Sequence, residues 1–274
     1  MTQLTLTADA RSDPGQAHRL NQDSVLAVLR PPQNASTTGL FVVADGMGGH
    51  QAGEIASQLA VETLHEQLAW LLEQPETEAT IMGAAAPASE EEAAVQLARR
   101  LEAAVAEANR RIFSYAQENP AHAGNLGTTL TGLLIADGLA AVANVGDSRT
   151  YVCRNGTLVQ ITDDHSYIAS LVRQGQIEPE AVYTHPRRNV ITRSLGNGER
   201  VAVDTWVLSV EAGDRFLLCS DGLWEMVHGT ETLTRFLTLE EAPAETVTKL
   251  IEAANAAGGR DNIGAVVVDV KGRK

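Results

Sequence analysis

Leu40-Phe41-Val42-Val43-Ala44-Asp45-Gly46-Met47-Gly48-Gly49-His50 is the stretch around which the chain is organised. Leu40 to Ala44 is a short apolar run with two β-branched residues, the pattern of a buried strand. It ends at Asp45, and glycines follow at 46, 48 and 49. A carboxylate at the end of a buried strand, followed by backbone free of Cβ atoms, suits close approach of a ligand or metal ion. The Gly46 carbonyl beside the Asp45 carboxylate offers two hard oxygen donors from adjacent residues. A plainer reading is a Gly-rich turn with Asp45 as its cap, and the stretch alone leaves both open.

Outward from this strand the chain changes period several times. Upstream, residues 3–9 alternate as a half-buried strand, Asp13-Pro14-Gly15 turns, and Val25–Leu29 reads as a second strand. Pro31 to Asn34 is a loop. Downstream, Ile55, Leu59, Leu64, Leu68, Leu71 and Leu72 recur at helical spacing over 54–72, and a second helix is expected over 90–115. The Pro-, Gly- and Ala-rich residues 74–89 between them read as a loop. Two hairpins follow: 128–136 with 139–145 about Asp137-Gly138, and 151–154 with 157–161 about Asn155-Gly156. A short helix is expected over 166–174 and strands over 201–208 and 215–220. The second of these strands ends in Asp221-Gly222, repeating the strand–Asp–Gly grammar of 41–46. Helices over 230–237 and 243–256, a strand over 263–270 and a polar tail, 271–274, complete the chain. Without a linker or repeat, this order predicts one α+β domain over 1–270.

The chain has 274 residues, 44% hydrophobic but only 4% aromatic, so Ala, Val and Leu must fill the core. Its formal net charge of −14 argues against binding to nucleic acid or anionic membrane. Cys153 and Cys219 lie in apolar runs without metal-ligand spacing and read as core thiols of a reducing compartment. No run reaches the roughly 18 apolar residues of a membrane span, and the start lacks a signal-peptide pattern. A cytoplasmic, monomeric protein is expected.

Asp23, Asp45, Asp221 and Asp261 each stand at an end of an expected strand, and Asp147 interrupts an apolar region. If the strand ends share one edge, these carboxylates converge. Two of them about 4 Å apart repel by roughly 4 kcal/mol at an effective dielectric near 20, so protonation or cations must hold them together. Ligation by oxygen alone points to Mg²⁺ or Mn²⁺ rather than zinc. The alternative, that each Asp merely caps a turn, weakens as the pattern repeats.

Asn21-Gln22-Asp23, Val43-Ala44-Asp45-Gly46-Met47-Gly48-Gly49, Gly127-Thr128-Thr129, Gly146-Asp147-Ser148-Arg149, Cys219-Ser220-Asp221-Gly222-Leu223 and Gly259-Arg260-Asp261-Asn262 together resemble the metal-dependent protein phosphatases of the type 2C (PPM) family, in its bacterial form. The resemblance runs from about residue 5 to 270, and six motifs in family order are specific. It implies two antiparallel β-sheets packed as a sandwich, flanked by helix pairs, with a binuclear metal site at one end. Asp45 would bridge the metals, the Gly46 carbonyl would bind one, Asp221 and Asp261 would complete the other, and Asp23 would act directly or through water. Asp147 with Asp221 would hold a third, weaker ion. A metal-bridging hydroxide would attack phosphoserine or phosphothreonine in line, in opposition to a serine/threonine kinase.

The chain also departs from that family's pattern. Where an arginine usually grips the substrate phosphate, five residues before the first Asp, stands His18, with Arg19 beside it. Either Arg19 reaches the phosphate, or His18 holds it less firmly and in a pH-dependent way. Gln22 replaces a common Glu, Met47 replaces the His of eukaryotic members, and Gly264 replaces a usual Thr. His50 is a weak candidate for leaving-group acid. Residues 163–195 match the family's flap, where Arg193 is expected to contact substrate, His185 to lie near the third metal, and Arg188 to be either substrate-facing or solvated. Two other readings stay open: a catalytically weak regulatory relative, favoured only by His18, and a binuclear hydrolase of small phosphate esters.

Overall fold

The computed structural model describes residues 4–30, 38–48, 52–73, 89–120 and 126–272. Gly49, His50, the Pro31–Asn34 loop and nearly all of the 74–89 loop lie outside them. Five strands form one sheet in the order β1 (Leu4–Asp13), β11 (Ile263–Gly272), β10 (Arg215–Cys219), β7 (Arg149–Arg154), β8 (Thr157–Gln160). The other sheet runs β2 (Asp23–Leu29), β3 (Gly39–Met47), β5 (Leu130–Ala136), β6 (Leu139–Val145), β9 (Asp204–Ser209), with the two-residue β4 (Gly127–Thr128) also on β3. Every pairing is antiparallel.

Strand parity explains the layers. Phe41 and Val43 point into the space between the sheets, where they meet Phe216, Leu218, Val266 and Val268. Leu40, Val42 and Ala44 point outward, under α1 (Ala52–Glu73) and α2 (Glu90–Glu118). On the other sheet, Leu217, Cys219, Ala265 and Val267 face α5 (Thr230–Leu237) and α6 (Pro243–Ala256). Central strands covered on both faces read as unbroken apolar runs rather than alternating ones, which is why 40–44 and 216–219 look alike in sequence. The outcome is the expected α+β sandwich between two helix pairs.

Both expected hairpins form. Asp137 and Gly138 have φ of +50° and +78°, Asn155 and Gly156 +52° and +77°, the left-handed pair that matches strand twist. Some boundaries differ from expectation. The strand expected from 201 begins at Asp204, because Val201 and Val203 pack instead against the helix side of the core. The expected polar tail is partly strand: Lys271 and Gly272 stay in register with Thr5 and Leu4. The strand expected to reach Ser220 stops at Cys219, and Asp221 instead starts a helical turn, α4 (Asp221–Trp224), with Ser220 at its N-cap position. Between β8 and β9, α3 (Tyr167–Arg173) and a 3₁₀ turn (Pro179–Tyr183) form an excursion over 163–195. Among the described residues, no helix is long and apolar enough to cross a membrane.

Candidate metal centre

The same parity that buries Phe41 and Val43 carries Asp45 to the end of the gap between the sheets. Asp23 lies directly opposite it across the β2–β3 ladder. From the facing sheet, Ser220 sends its Oγ–H to Asp23 Oδ2 at 2.7 Å, while Gly264 N–H donates to Ser220 Oγ at 2.8 Å. Thus one hydroxyl, held by the last strand, fixes a carboxylate of the first motif. A Cβ at 264 would sit 3.1 Å from Asp23 Oδ2 and 3.2 Å from Val43, so the glycine there leaves room for the carboxylate.

Asp45 is placed by its backbone. Its N–H donates to Thr129 Oγ1 at 3.1 Å, and its carbonyl accepts from Thr129 N–H and Thr128 Oγ1, both at 2.9 Å. This is what the Gly-Thr-Thr motif does: it ties β4 and β5 to the end of β3. Gly46 is demanded by close approach, since a Cβ there would stand 2.0 Å from the Gly53 carbonyl oxygen at the start of α1. Gly222 faces the same limit at 1.9 Å from the Asn262 carbonyl oxygen. That contact packs the Asp221 turn on the Asp261 loop.

Asn262 organises the loop before β2. Its Oδ1 accepts from Gln22 N–H at 2.8 Å, and its Nδ2 donates to the carbonyls of Pro14 and Leu20 at 2.9 and 3.0 Å. That loop carries His18 and Arg19, and His18 Nε2 comes 3.5 Å from Asp261 Oδ1. Asp147 lies in the turn between β6 and β7, where Trp224 Nε1–H donates to its carbonyl at 3.0 Å. Arg149 lies under the same indole, 3.5 Å from the ring centroid, and makes a buried two-toothed pair with Asp164 at 2.9 and 2.7 Å.

Asp23, Asp45, Asp147 and Asp221 therefore crowd into one end of the sandwich with little cationic compensation. Burial, followed by the neighbouring carboxylates, raises Asp45 and Asp221 well above the usual carboxylate range. Burial, opposed by the Ser220 hydrogen bond and reinforced by Asp261, pushes Asp23 up to about 7. Burial and then Asp164 do the same to Asp147. Among the described residues, Asp23 Oδ1, Asp147 Oδ1 and Asp221 Oδ1 are buried acceptors without a donor. Such oxygens want a cation. Among the described residues, no three His, Cys, Asp or Glu side chains stand close enough together to hold a metal ion by themselves.

The sign of the pH effect follows. Carboxylates raised by folding favour the protonated folded state, so their contribution to stability is present below pH about 4 and is lost as pH rises through about 7. Divalent cations compete with those protons. We expect Mn²⁺ to raise the melting temperature more at pH 8 than at pH 5, measured calorimetrically against chelator-treated protein. An equal or larger gain at pH 5 would contradict this charge distribution.

The other residues expected to meet substrate lie on the 163–195 excursion and are committed locally. His185 Nδ1 accepts from Arg187 N–H at 3.1 Å. Arg188 pairs with Glu225 at 3.0 Å. Arg193 donates through Nη1 to Asp204 Oδ1 at 2.6 Å, so that nitrogen is occupied by the protein rather than open to a phosphopeptide. Sequence reasoning missed His165, Asp204, Ser220 as the carboxylate's clamp, and Asn262 as the loop's anchor. Only Ser220 and Asn262 had a signal, each adjoining a candidate Asp.

A model of the family described as protein phosphatase 2C matches residues 16–257. The serine/threonine phosphatase stp of Listeria welshimeri is 37% identical over 96% of this chain and 95% of its own length. The crystal structure of the Mycobacterium tuberculosis serine/threonine phosphatase PstP/Ppp superposes with a TM-score of 0.79 at 37% identity, covering 97% of this chain and 99% of that one. A structure of the catalytic domain of serine threonine protein phosphatase PstP, in complex with 2 manganese ions, gives 0.80 at 36% identity over 98% and 99%. With the family model matched over most of its length and these relatives aligned nearly end to end, the chain belongs to the protein phosphatase 2C family.

Proposed function

We infer that the protein hydrolyses phosphoserine and phosphothreonine in proteins with the help of Mn²⁺ or Mg²⁺. The observation that carries this is the cluster of donor-starved carboxylates at one end of the sandwich, in a chain whose relatives are serine/threonine phosphatases, one of them holding two manganese ions. Asp45, the Gly46 carbonyl, Asp221 and Asp261 would hold two ions, with Asp23 direct or through water, and Asp147 with Asp221 a third, weaker one. When bound, the ions would offset the phosphoryl charge and make a water acidic enough to serve as nucleophile near neutral pH.

The chain's own groups set the frame for that chemistry. Ser220 fixes the orientation of Asp23, and the Thr128–Thr129 pair fixes Asp45. Asn262 holds the His18–Arg19 loop beside Asp261, where a cationic side chain would meet the substrate phosphate. His185 and Arg193 on the flap, residues 163–195 of a single domain spanning 1–270, would flank the bound protein substrate. A cognate serine/threonine kinase, a cytoplasmic setting and a monomeric state belong to the same reading; the buried free thiols Cys153 and Cys219 suit a reducing compartment, and the net charge of −14 disfavours nucleic acid.

The direct test is Mn²⁺-dependent release of phosphate from a phosphothreonine peptide, compared with an aryl phosphate and with chelator added. No metal-dependent release from the peptide would overturn the reading. A finer test concerns the loop. Arginine grips phosphate with a permanently charged planar fork, whereas histidine is ordinarily charged only below about pH 6.5. His18→Arg should therefore lower KM for the peptide at pH 8, and Arg19→Ala should raise it. If KM is unchanged in both variants between pH 6 and 9, neither residue holds the phosphate.

A further inference from the structure

The flap excursion leaves and rejoins the sandwich through a narrow neck. Its two sides are bridged by Thr192 N–H to the His165 carbonyl at 2.7 Å and Tyr167 N–H to the Val190 carbonyl at 2.8 Å. One side of the neck grips the Asp147 turn twice through a single residue. His165 N–H donates to the Gly146 carbonyl at 2.8 Å, and Gly146 N–H donates back to His165 Nδ1 at 3.0 Å. Accepting at Nδ1 fixes the neutral tautomer, so the proton sits on Nε2 and is donated to Asp204 Oδ2 at 3.1 Å. The other side of the neck reaches the same carboxylate, through Arg193 Nη1 to Asp204 Oδ1.

Asp204 is the first residue of β9 and lies opposite Asn144 on β6. Asn144 in turn donates to the carbonyls of Gly146 and Asp163, at 3.1 and 3.3 Å. Both sides of the neck are thereby fastened to one carboxylate on a rigid sheet, and one side also to the residue before Asp147. The imidazole is almost fully buried, while Asp204 and Arg193 are 40% and 32% exposed at their side chains. A simple surface loop would not send one polar side chain from each side of its neck to the same carboxylate, as His165 and Arg193 do to Asp204.

We propose that His165, Asp204 and Arg193 form a clamp that sets the flap's position relative to the Asp147 turn, and that this position governs how the peptide part of a substrate is held. The three are positioning residues; none needs to touch the phosphate. Arg193 acts through Asp204, in place of the direct substrate contact that its position in the sequence suggests. The proposal rests on the phosphoprotein phosphatase reading, and it makes a distinction within that reading. A phosphopeptide spans the flap, whereas an aryl phosphate occupies only the metal end. Loosening the clamp therefore weakens the first substrate and spares the second.

Asp204→Asn keeps shape while removing the charge that both partners share, and His165→Gln keeps the reach to Asp204 while abandoning Gly146. With Mn²⁺ saturating, each should raise KM for a phosphothreonine peptide about tenfold, the effect of one lost charge-assisted hydrogen bond. The double variant should show no more than the larger single effect, and kcat/KM for p-nitrophenyl phosphate should stay within about twofold in all three, as expected of groups acting as one unit. Hydrogen exchange of the 166–191 amides should accelerate in each variant, a readout that needs neither substrate nor turnover. Equal losses on both substrates, additive KM effects, or unchanged exchange in the flap would overturn the clamp. Failure of the wild-type protein to act on the peptide would instead overturn the function, and the exchange measurement would still decide the clamp.

Discussion

Asp45→Asn should abolish metal-dependent turnover, by about a thousandfold or more, while leaving the fold intact or firmer. The rate loss corresponds to roughly 4 kcal/mol of lost transition-state stabilisation. It is expected because Asp45 is the carboxylate that Asp23, Asp147, Asp221 and Asp261 all surround. An amide there is a poorer ligand and brings no charge to offset a cation. The structural side of the prediction comes from the backbone. The Thr128 and Thr129 bonds that place residue 45 use its N–H and C=O, not its side chain. Removing one buried carboxylate from a crowded group relieves repulsion in the metal-free protein. The checks are phosphate release in saturating Mn²⁺ and a melting curve in chelator. Turnover within tenfold of wild type would sink the metal centre, and a markedly lower melting temperature without metal would sink the account of its electrostatics.

The largest stability effect should come from Arg149, outside the ligand set. Its guanidinium is buried between Asp164 and the Trp224 indole, with Tyr151 Oη accepting a further bond at 3.1 Å. Arg149→Leu leaves the Asp164 carboxylate buried and unpaired, which costs about 3–5 kcal/mol in comparable cases. For a chain of this size that lowers the melting temperature by about 10 °C. Replacing Asp164 by Leu as well should recover much of the loss, since desolvating two ions offsets most of what their pairing returns. A drop of less than about 2 °C in Arg149→Leu would show that the pair is not held away from water. Trp224 also supports the Asp147 carbonyl, so Mn²⁺ dependence should change in the same variant.

Much of this could be read from sequence, for identifiable reasons. The hairpins at Asp137-Gly138 and Asn155-Gly156 are local, since two residues with positive φ dictate the turn. The repeated strand–Asp–Gly grammar was legible because an apolar run ending in a carboxylate is visible in one dimension. That Asp23 faces Asp45 follows once β2 and β3 pair. What was hidden depends on distant residues meeting. His165 and Asp204 are 39 positions apart, and Asp23 and Ser220 are 197 apart. Neither contact has a periodicity or a turn signature to announce it. Arg193 shows what charge read without partners leaves out: its pairing with Asp204, 11 positions away, has no signal in the sequence. Residues 201–203 misled for a simpler reason, because apolar alternation describes burial and not ladder pairing.

The pairing of β1 with β11 has a consequence in time. Leu4 lies against Gly272 and Asp13 against Ile263, so β1 must wait for a strand made much later in the chain before this ladder can close. The same late strand delivers Gly264, whose N–H steadies Ser220 against Asp23, and it follows directly on Asp261 and Asn262. Contacts between such distant parts of a chain make folding slow. Asp23 and Asp45 can meet as soon as β2 and β3 pair, whereas Asp221 and Asp261 join them only after the later strands are made. A chain that stalls before residue 261 possesses most of the sandwich's sequence but lacks Asp261 and the Gly264 N–H that steadies Ser220 against Asp23.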